Sequence, residues 1–104
     1  MGETKYTGGQ MKLYGILTKM GFSPELEVPF PPYTADIYLR REHVIIEYDG
    51  AHSFHKRDRK RDAWFMENYN IPTLRITDVS NSVQQKIMDF ISHWIESAEV
   101  RKNG

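Results

Sequence analysis

The sequence predicts an α/β (α+β) domain: a small mixed β-sheet flanked by helices, in the order α-β-β-β-α-β-α. Three observations predict it. Two segments, "TADIYLR" and "HVIIEYD", are rich in β-branched and aromatic residues and are separated by only a few polar ones, which reads as an antiparallel hairpin. The segment from there to "IPTLRIT" is long enough for a helical crossover, so the strands on either side of it can run parallel. Both outer segments carry apolar residues at helical spacing, giving each a stripe to bury against the sheet.

Each element has its own justification. In "GGQMKLYGILTKMGF", Leu13, Leu17 and Met20 recur at helical spacing and Gly21 is placed to cap the end. Gln10 shares the inward face with Leu13, Tyr14 and Leu17, where a polar side chain needs a partner. "ELEVPFPPY" reads as a short strand ended by prolines. The following hairpin is expected to turn at Arg41-Glu42, pairing Arg40 with His43. A charged helix is expected from His52 or Lys56 to Tyr69, with Phe54, Phe65 and Tyr69 on a core stripe. "IPTLRIT", with Pro72 near its start, is the fourth strand. In "SNSVQQKIMDFISHWIESAEV", Val83, Ile87, Phe90, Ile91, Trp94 and Ile95 form one helical stripe, and Ser82 and Gln85 have capping-box spacing.

The 104 residues make one domain, expected over 1–104 with a flexible leader at 1–7 and a flexible tail at 99–104, and compatible with excision from a longer protein. A chain of this size buries about 65% of its unfolded surface, enough for a core without staples. There is no cysteine, which excludes disulfides and thiolate zinc sites and fits an intracellular location. No apolar run approaches the roughly 18 residues of a membrane span, and no signal peptide is visible. The formal net charge is zero, which argues against a strongly basic nucleic-acid binder. The charge is nevertheless uneven: "HKRDRKRD" holds five Lys/Arg against two Asp, a local basic patch.

The chemistry gathers at the end of the third strand. Glu47 and Asp49 point to one face, about 7 Å apart along the chain. The expected turn places Asp36 opposite Glu47, so that Asp36, Glu47 and Asp49 converge. Opposed like charges destabilise a sheet, and relief comes from a proton, an Arg or Lys partner, or a cation. Oxygen ligands without cysteine suit Mg²⁺, Mn²⁺ or Ca²⁺. The competing reading sets these acids at an exposed strand end, paired with Arg40, Arg59 or Arg61. Gly50 allows a sharp turn after Asp49. His55, Asp58, Arg59 and Asp62 then share one helical face, which could equally be a solvated face with weak ion pairs. His52 and His55 are candidate proton carriers beside the acids. A zinc site from His52, His55 and a carboxylate is the lesser alternative, because structural zinc usually takes four ligands with cysteines. His43 and His93 read as structural.

The layout "TADIYL … VIIEYDG … H … DRKRDAWF … IPTLRIT" resembles the restriction-endonuclease-like nucleases, the PD-(D/E)xK superfamily. Within them it is similar to the very-short-patch mismatch repair endonucleases and to phage homing endonucleases named for an E-D-x-H-D set of active-site residues. The resemblance spans residues 8–95. It implies metal-dependent (Mg²⁺ or Mn²⁺) cleavage of double-stranded DNA by a catalytic domain. It further implies a bacterial or phage-infected cytoplasm, while the near-neutral charge and small size suggest that sequence recognition lies in another domain or chain. Asp36 would be the central metal ligand, completed by Glu47 or Asp49 or a neighbouring carbonyl. His52 or His55 would be the histidine, with His55 preferred, and Asp58 or Asp62 the last acid. Lys56, Arg57, Arg59, Lys60 and Arg61 would be available to phosphates. Two departures stand out. Asp49 occupies the superfamily's usual lysine position, favouring a histidine-assisted water. Gln10 stands where related branches carry Glu on the first helix; an amide cannot act as a general base, so Gln10 is expected to impair activity. Two other readings are a non-catalytic nucleic-acid-binding module and a partner-binding domain using "FISHWIES".

Overall fold

The computed structural model describes residues 8–50 and 56–103. Its elements are α1 (Gly8–Lys19), β1 (Pro24–Phe30), β2 (Tyr33–Leu39), β3 (Val44–Tyr48), α2 (Lys56–Tyr69), β4 (Thr73–Ile76) and α3 (Val83–Asn103). They form a small α+β domain. The sheet order is β1-β2-β3-β4, antiparallel at the first two junctions and parallel at the third. The helical crossover between β3 and β4 is therefore observed. Among the described residues no helix is long and apolar enough to cross a membrane.

Local signals explain the boundaries. α1 stops where Gly21 adopts φ 99°. There the Gly21 amide donates to the Thr18 carbonyl and the Phe22 amide to Leu17, the bonding pattern of a glycine-terminated helix. α2 ends at Asn70, also left-handed at φ 57°, a conformation asparagine tolerates better than most residues. Gly50 has φ 61°, so the chain does turn on a glycine just after Asp49.

The core has two layers, one on each side of the sheet. On one side, Leu13 and Leu17 of α1 and Val83, Ile87 and Ile91 of α3 pack with Ile37, Leu39, Val44, Ile46 and Ile76 of the strands. On the other, Phe65 of α2 packs with Ala35, Tyr38, Ile45 and Ile71. Phe30 and Tyr69 stack edge-on around that second cluster. Burial of these aliphatic and aromatic groups contributes about 1.5–3 kcal/mol per large side chain and holds the helices in place. α1 sits close: a Cβ on Gly9 would come within 2.1 Å of the Tyr48 ring, so this contact requires glycine.

Three details depart from expectation. The β2–β3 connection is not a two-residue turn. Leu39 pairs with Val44, leaving a four-residue loop, Arg40 to His43, with His43 at φ 63° and its amide bonded to the Leu39 carbonyl. Both turns are centred on Arg41-Glu42, so the expected register survives. Gln85 does not complete a capping box: its amide donates to Asp89, while the Ser82 hydroxyl meets that of Ser80. Ile95 leaves the buried stripe, at 42% exposure.

Candidate active site

Backbone pairing between β2 and β3 runs only as far as Ile37 and Ile46. One step further the register sets Asp36 opposite Glu47, and there side chains replace the ladder. The Asp36 amide donates to Glu47 Oε2 at 2.9 Å, and the Tyr48 amide donates to Asp36 Oδ2 at 3.3 Å. Each carboxylate thus satisfies a main-chain donor of the neighbouring strand, which would otherwise be left unpaired where the strands part.

This exchange leaves two carboxylates in close company. Glu47 is only 4% exposed. Burial, and after it the charge of Asp36, pushes the Glu47 carboxyl up to about 8, against the downward pull of Arg61. Burial also raises the Asp36 carboxyl, with Glu27 adding to the effect. Burial wins at Glu47 because desolvation penalises the charged form more than one guanidinium restores. Arg61 of α2 donates through Nη2 to Glu47 Oε2 at 2.9 Å and to the Thr34 carbonyl, and its guanidinium lies over the Tyr33 ring.

Two further groups complete the neighbourhood. Gln10, 5% exposed on α1, donates through Nε2 to Glu27 Oε2 at 3.1 Å and to the Asp36 carbonyl at 3.3 Å. Glu27 sits in β1 between the pairs Leu26–Ile37 and Val28–Ala35, which places it opposite Asp36. Its φ is 50°, a left-handed value that costs a residue other than glycine about 1 kcal/mol or more.

The other predicted acids go elsewhere. Arg75, opposite Glu47 in the parallel register, gathers them. Its Nη1 donates to both Asp49 oxygens at 3.0 and 3.3 Å. Its Nε and Nη2 grip Asp62 at 3.0 and 2.7 Å, and Asp58 stands 4.0 Å away. The expected three-way convergence is therefore divided: Asp36 and Glu47 meet, while Asp49 is drawn to Arg75. Asp58 and Asp62 do share a face, directed at the same guanidinium.

The pairing of acids with nearby arginines holds for Glu47 and Arg61, although Glu47 is buried and not at an exposed end. Arg40 instead forms a surface pair with Glu25. On α2, Arg59 and Lys60 are exposed, while Arg61 is committed to Glu47 and Thr34. His43 bonds the Tyr69 carbonyl through Nε2 at 2.9 Å and approaches the Tyr38 hydroxyl, a structural role. The expectations for His52, His55 and Phe54, and for the side chains of Lys56 and Arg57, lie outside the described residues.

Sequence reasoning missed Glu27 and Arg75. For Glu27 a signal existed: a β1–β2 hairpin turning at Pro31-Pro32 puts position 27 across from position 36. For Arg75 the hint was a lone charge inside the apolar strand "TLRI". Among the described residues, no group of three or more histidines or acids is close enough to cage a metal ion. The Asp36–Glu47 pair supplies two hard oxygen donors. That donor set fits Mg²⁺, which is usually held by one or two carboxylates with water and phosphate filling the rest of its shell. No family model and no curated protein matches this sequence.

Proposed function

We propose that this chain is the catalytic domain of a metal-dependent DNA endonuclease of the restriction-endonuclease-like type, hydrolysing phosphodiester bonds. One observation carries the reading: Asp36 and buried Glu47 face each other where the strands separate, with Glu47 pushed up to about 8. Such a pair is stabilised by a proton or a cation. The mixed sheet, the crossover helix and the acidic pair in "ADIYL" and "EYDG" support the resemblance in sequence.

In this reading Asp36 and Glu47 would hold Mg²⁺ or Mn²⁺ through their carboxylate oxygens. The ion, when bound, would polarise a phosphoryl oxygen and stabilise the developing charge. Arg61 keeps Glu47 oriented and limits the charge that the pair must carry before loading. The exposed Arg59 and Lys60 on α2 are placed to meet DNA phosphates. His52 or His55 would carry the proton of the attacking water.

A second reading, a nucleic-acid-binding module without turnover, is favoured by one feature: Arg61 already supplies a positive charge to Glu47. Plasmid cleavage across Mg²⁺, Mn²⁺ and Ca²⁺ separates the two. The nuclease reading expects nicks or breaks with Mg²⁺ or Mn²⁺ that fall by about 10²–10³-fold in Asp36→Asn. Salt-sensitive DNA binding with no cleavage under any metal would establish the second reading instead.

A further inference from the structure

The crossover helix sends a guanidinium to the acid pair, and only one nitrogen of it is occupied there. Arg61 Nη2 makes both of the bonds already described, to Glu47 Oε2 at 2.9 Å and to the Thr34 carbonyl. Among the described residues, Nε and Nη1 have no bonded partner. Three of the five N–H hydrogens of the group are therefore left for a ligand. The side chain is 22% exposed, so it is sheltered without being closed off.

The group is also held in one orientation. Nη2 is fixed by two acceptors on different strands, and the guanidinium carbon lies 5.7 Å from the centre of the Tyr33 ring. Tyr33 is in turn braced edge-on by Trp64, with ring centres 5.0 Å apart. An arginine anchored at one nitrogen and set over a ring presents its remaining donors preorganised, so little freedom is lost when a ligand binds. Its charge also falls where it is needed. Burial raises both the Glu47 and the Asp36 carboxyl, and Arg61 draws both the other way. A phosphodiester is an anion, and two carboxylates alone would repel it. A fixed cation with open donors beside them meets it instead.

We infer that Arg61 is a catalytic residue of the proposed nuclease: Nη2 holds Glu47 while Nε and Nη1 donate to a non-bridging oxygen of the phosphate that is cut. This inference rests on the nuclease reading. It gives Arg61 a partner in the substrate, beyond the orientation of Glu47. Donors already in place where charge grows on the phosphoryl oxygens stabilise the transition state.

The parent chain, Arg61→Gln, Arg61→Lys and Arg40→Gln test it. Arg40→Gln is a charge-matched control taken from the surface pair with Glu25. Each protein is assayed at a temperature where circular dichroism shows the native fold. The measurements are affinity for a short duplex in Ca²⁺ across a salt series, Mn²⁺ affinity by calorimetry, and the single-turnover rate of plasmid cleavage with Mg²⁺ or Mn²⁺. Arg61→Gln is expected to reduce the slope of log Kd against log salt by about 1, the mark of one lost phosphate contact. Its cleavage rate is expected to fall by about 10²–10³-fold, while Arg40→Gln changes neither. Arg61→Lys keeps the charge but not the fork, so about tenfold or more of the rate is lost at unchanged Mn²⁺ affinity. That variant decides the matter if Arg61→Gln does not fold. With a parent that cuts DNA, an unchanged slope in Arg61→Gln, or an equal change in Arg40→Gln, overturns this inference alone. So does full cleavage by Arg61→Lys, or a rate loss matched by an equal loss of Mn²⁺ affinity, which would leave Arg61 only its hold on Glu47. A parent that cuts under no metal overturns the nuclease reading, and this inference falls with it.

Discussion

Arg75 and Arg61 are both half-sheltered arginines that answer buried or half-buried acids, yet they hold them differently. Arg75 grips Asp62 with two nitrogens and Asp49 with a third, and those carboxylates keep some contact with water, at 27% and 19% side-chain exposure. Burial works against the charge on Arg75, but the bonds and charges of Asp62, Asp49 and Asp58 outweigh it and hold its proton more firmly. Arg61 offers Glu47 one nitrogen and divides itself with the Thr34 carbonyl. Glu47 is nearly sealed and has Asp36 as its neighbour, so its carboxyl moves toward the protonated form. The number of charges does not decide the outcome; the number of hydrogen bonds per charge and the access of water do. One cluster is a latch that ties α2 to β3 and β4. The other is an unsettled pair at the place where chemistry is proposed.

The largest effect expected from breaking this contrast is at the latch. Arg75→Met leaves Asp49, Asp58 and Asp62 without their shared guanidinium, and removing one partner of a sheltered ion pair costs about 3 kcal/mol. Urea unfolding measures it, and a loss under about 1 kcal/mol would show that Arg75 is no latch. The unsettled pair should respond to pH instead. The folded-state value of Glu47, about 8, lies above the ordinary 4.5, so the folded protein keeps a proton that the unfolded chain releases. Its contribution to stability is therefore complete below about pH 4.5 and is lost as pH rises to about 8, with a slope of up to about 1.4 kcal/mol per pH unit. Glu47→Gln should flatten that decline, which a series of denaturation curves from pH 5 to 8.5 would reveal. The smallest effect sharpens the comparison from outside. Arg40 and Glu25 make a bidentate pair with good distances, but the side chains are 65% and 39% exposed. Arg40→Ala should leave the denaturation midpoint unchanged.

Much of this arrangement could be read from the residues. The Asp36–Glu47 encounter follows from two apolar strands and a connection centred on Arg41-Glu42, and it survived an incorrect turn length because the longer loop keeps that centre. Gln10 was legible because a polar side chain on an apolar helical face must find a partner. Asp49 was misplaced because the sequence shows which face a side chain takes but not what stands beside it. Its neighbour, Arg75, comes from a strand joined through a helical crossover, where no turn length fixes the register. Glu27 lay in a strand whose residues are mostly half-buried, so alternation gave no face to read; its weight comes from Gln10, whose two bonds reach 17 residues to Glu27 and 26 residues to Asp36.

The close seat of α1 on Tyr48 has a practical corollary. Glycine in a first helical turn ordinarily invites replacement by alanine, a routine way to stiffen a helix. At position 9 the added methyl would meet the tyrosine ring at well under van der Waals distance. Either the ring swings out or the helix lifts, and a lifted helix carries Gln10 away from the strands. An engineer seeking a hardier protein should leave this residue untouched, since the same edit that rewards the helix would loosen its grip on Asp36.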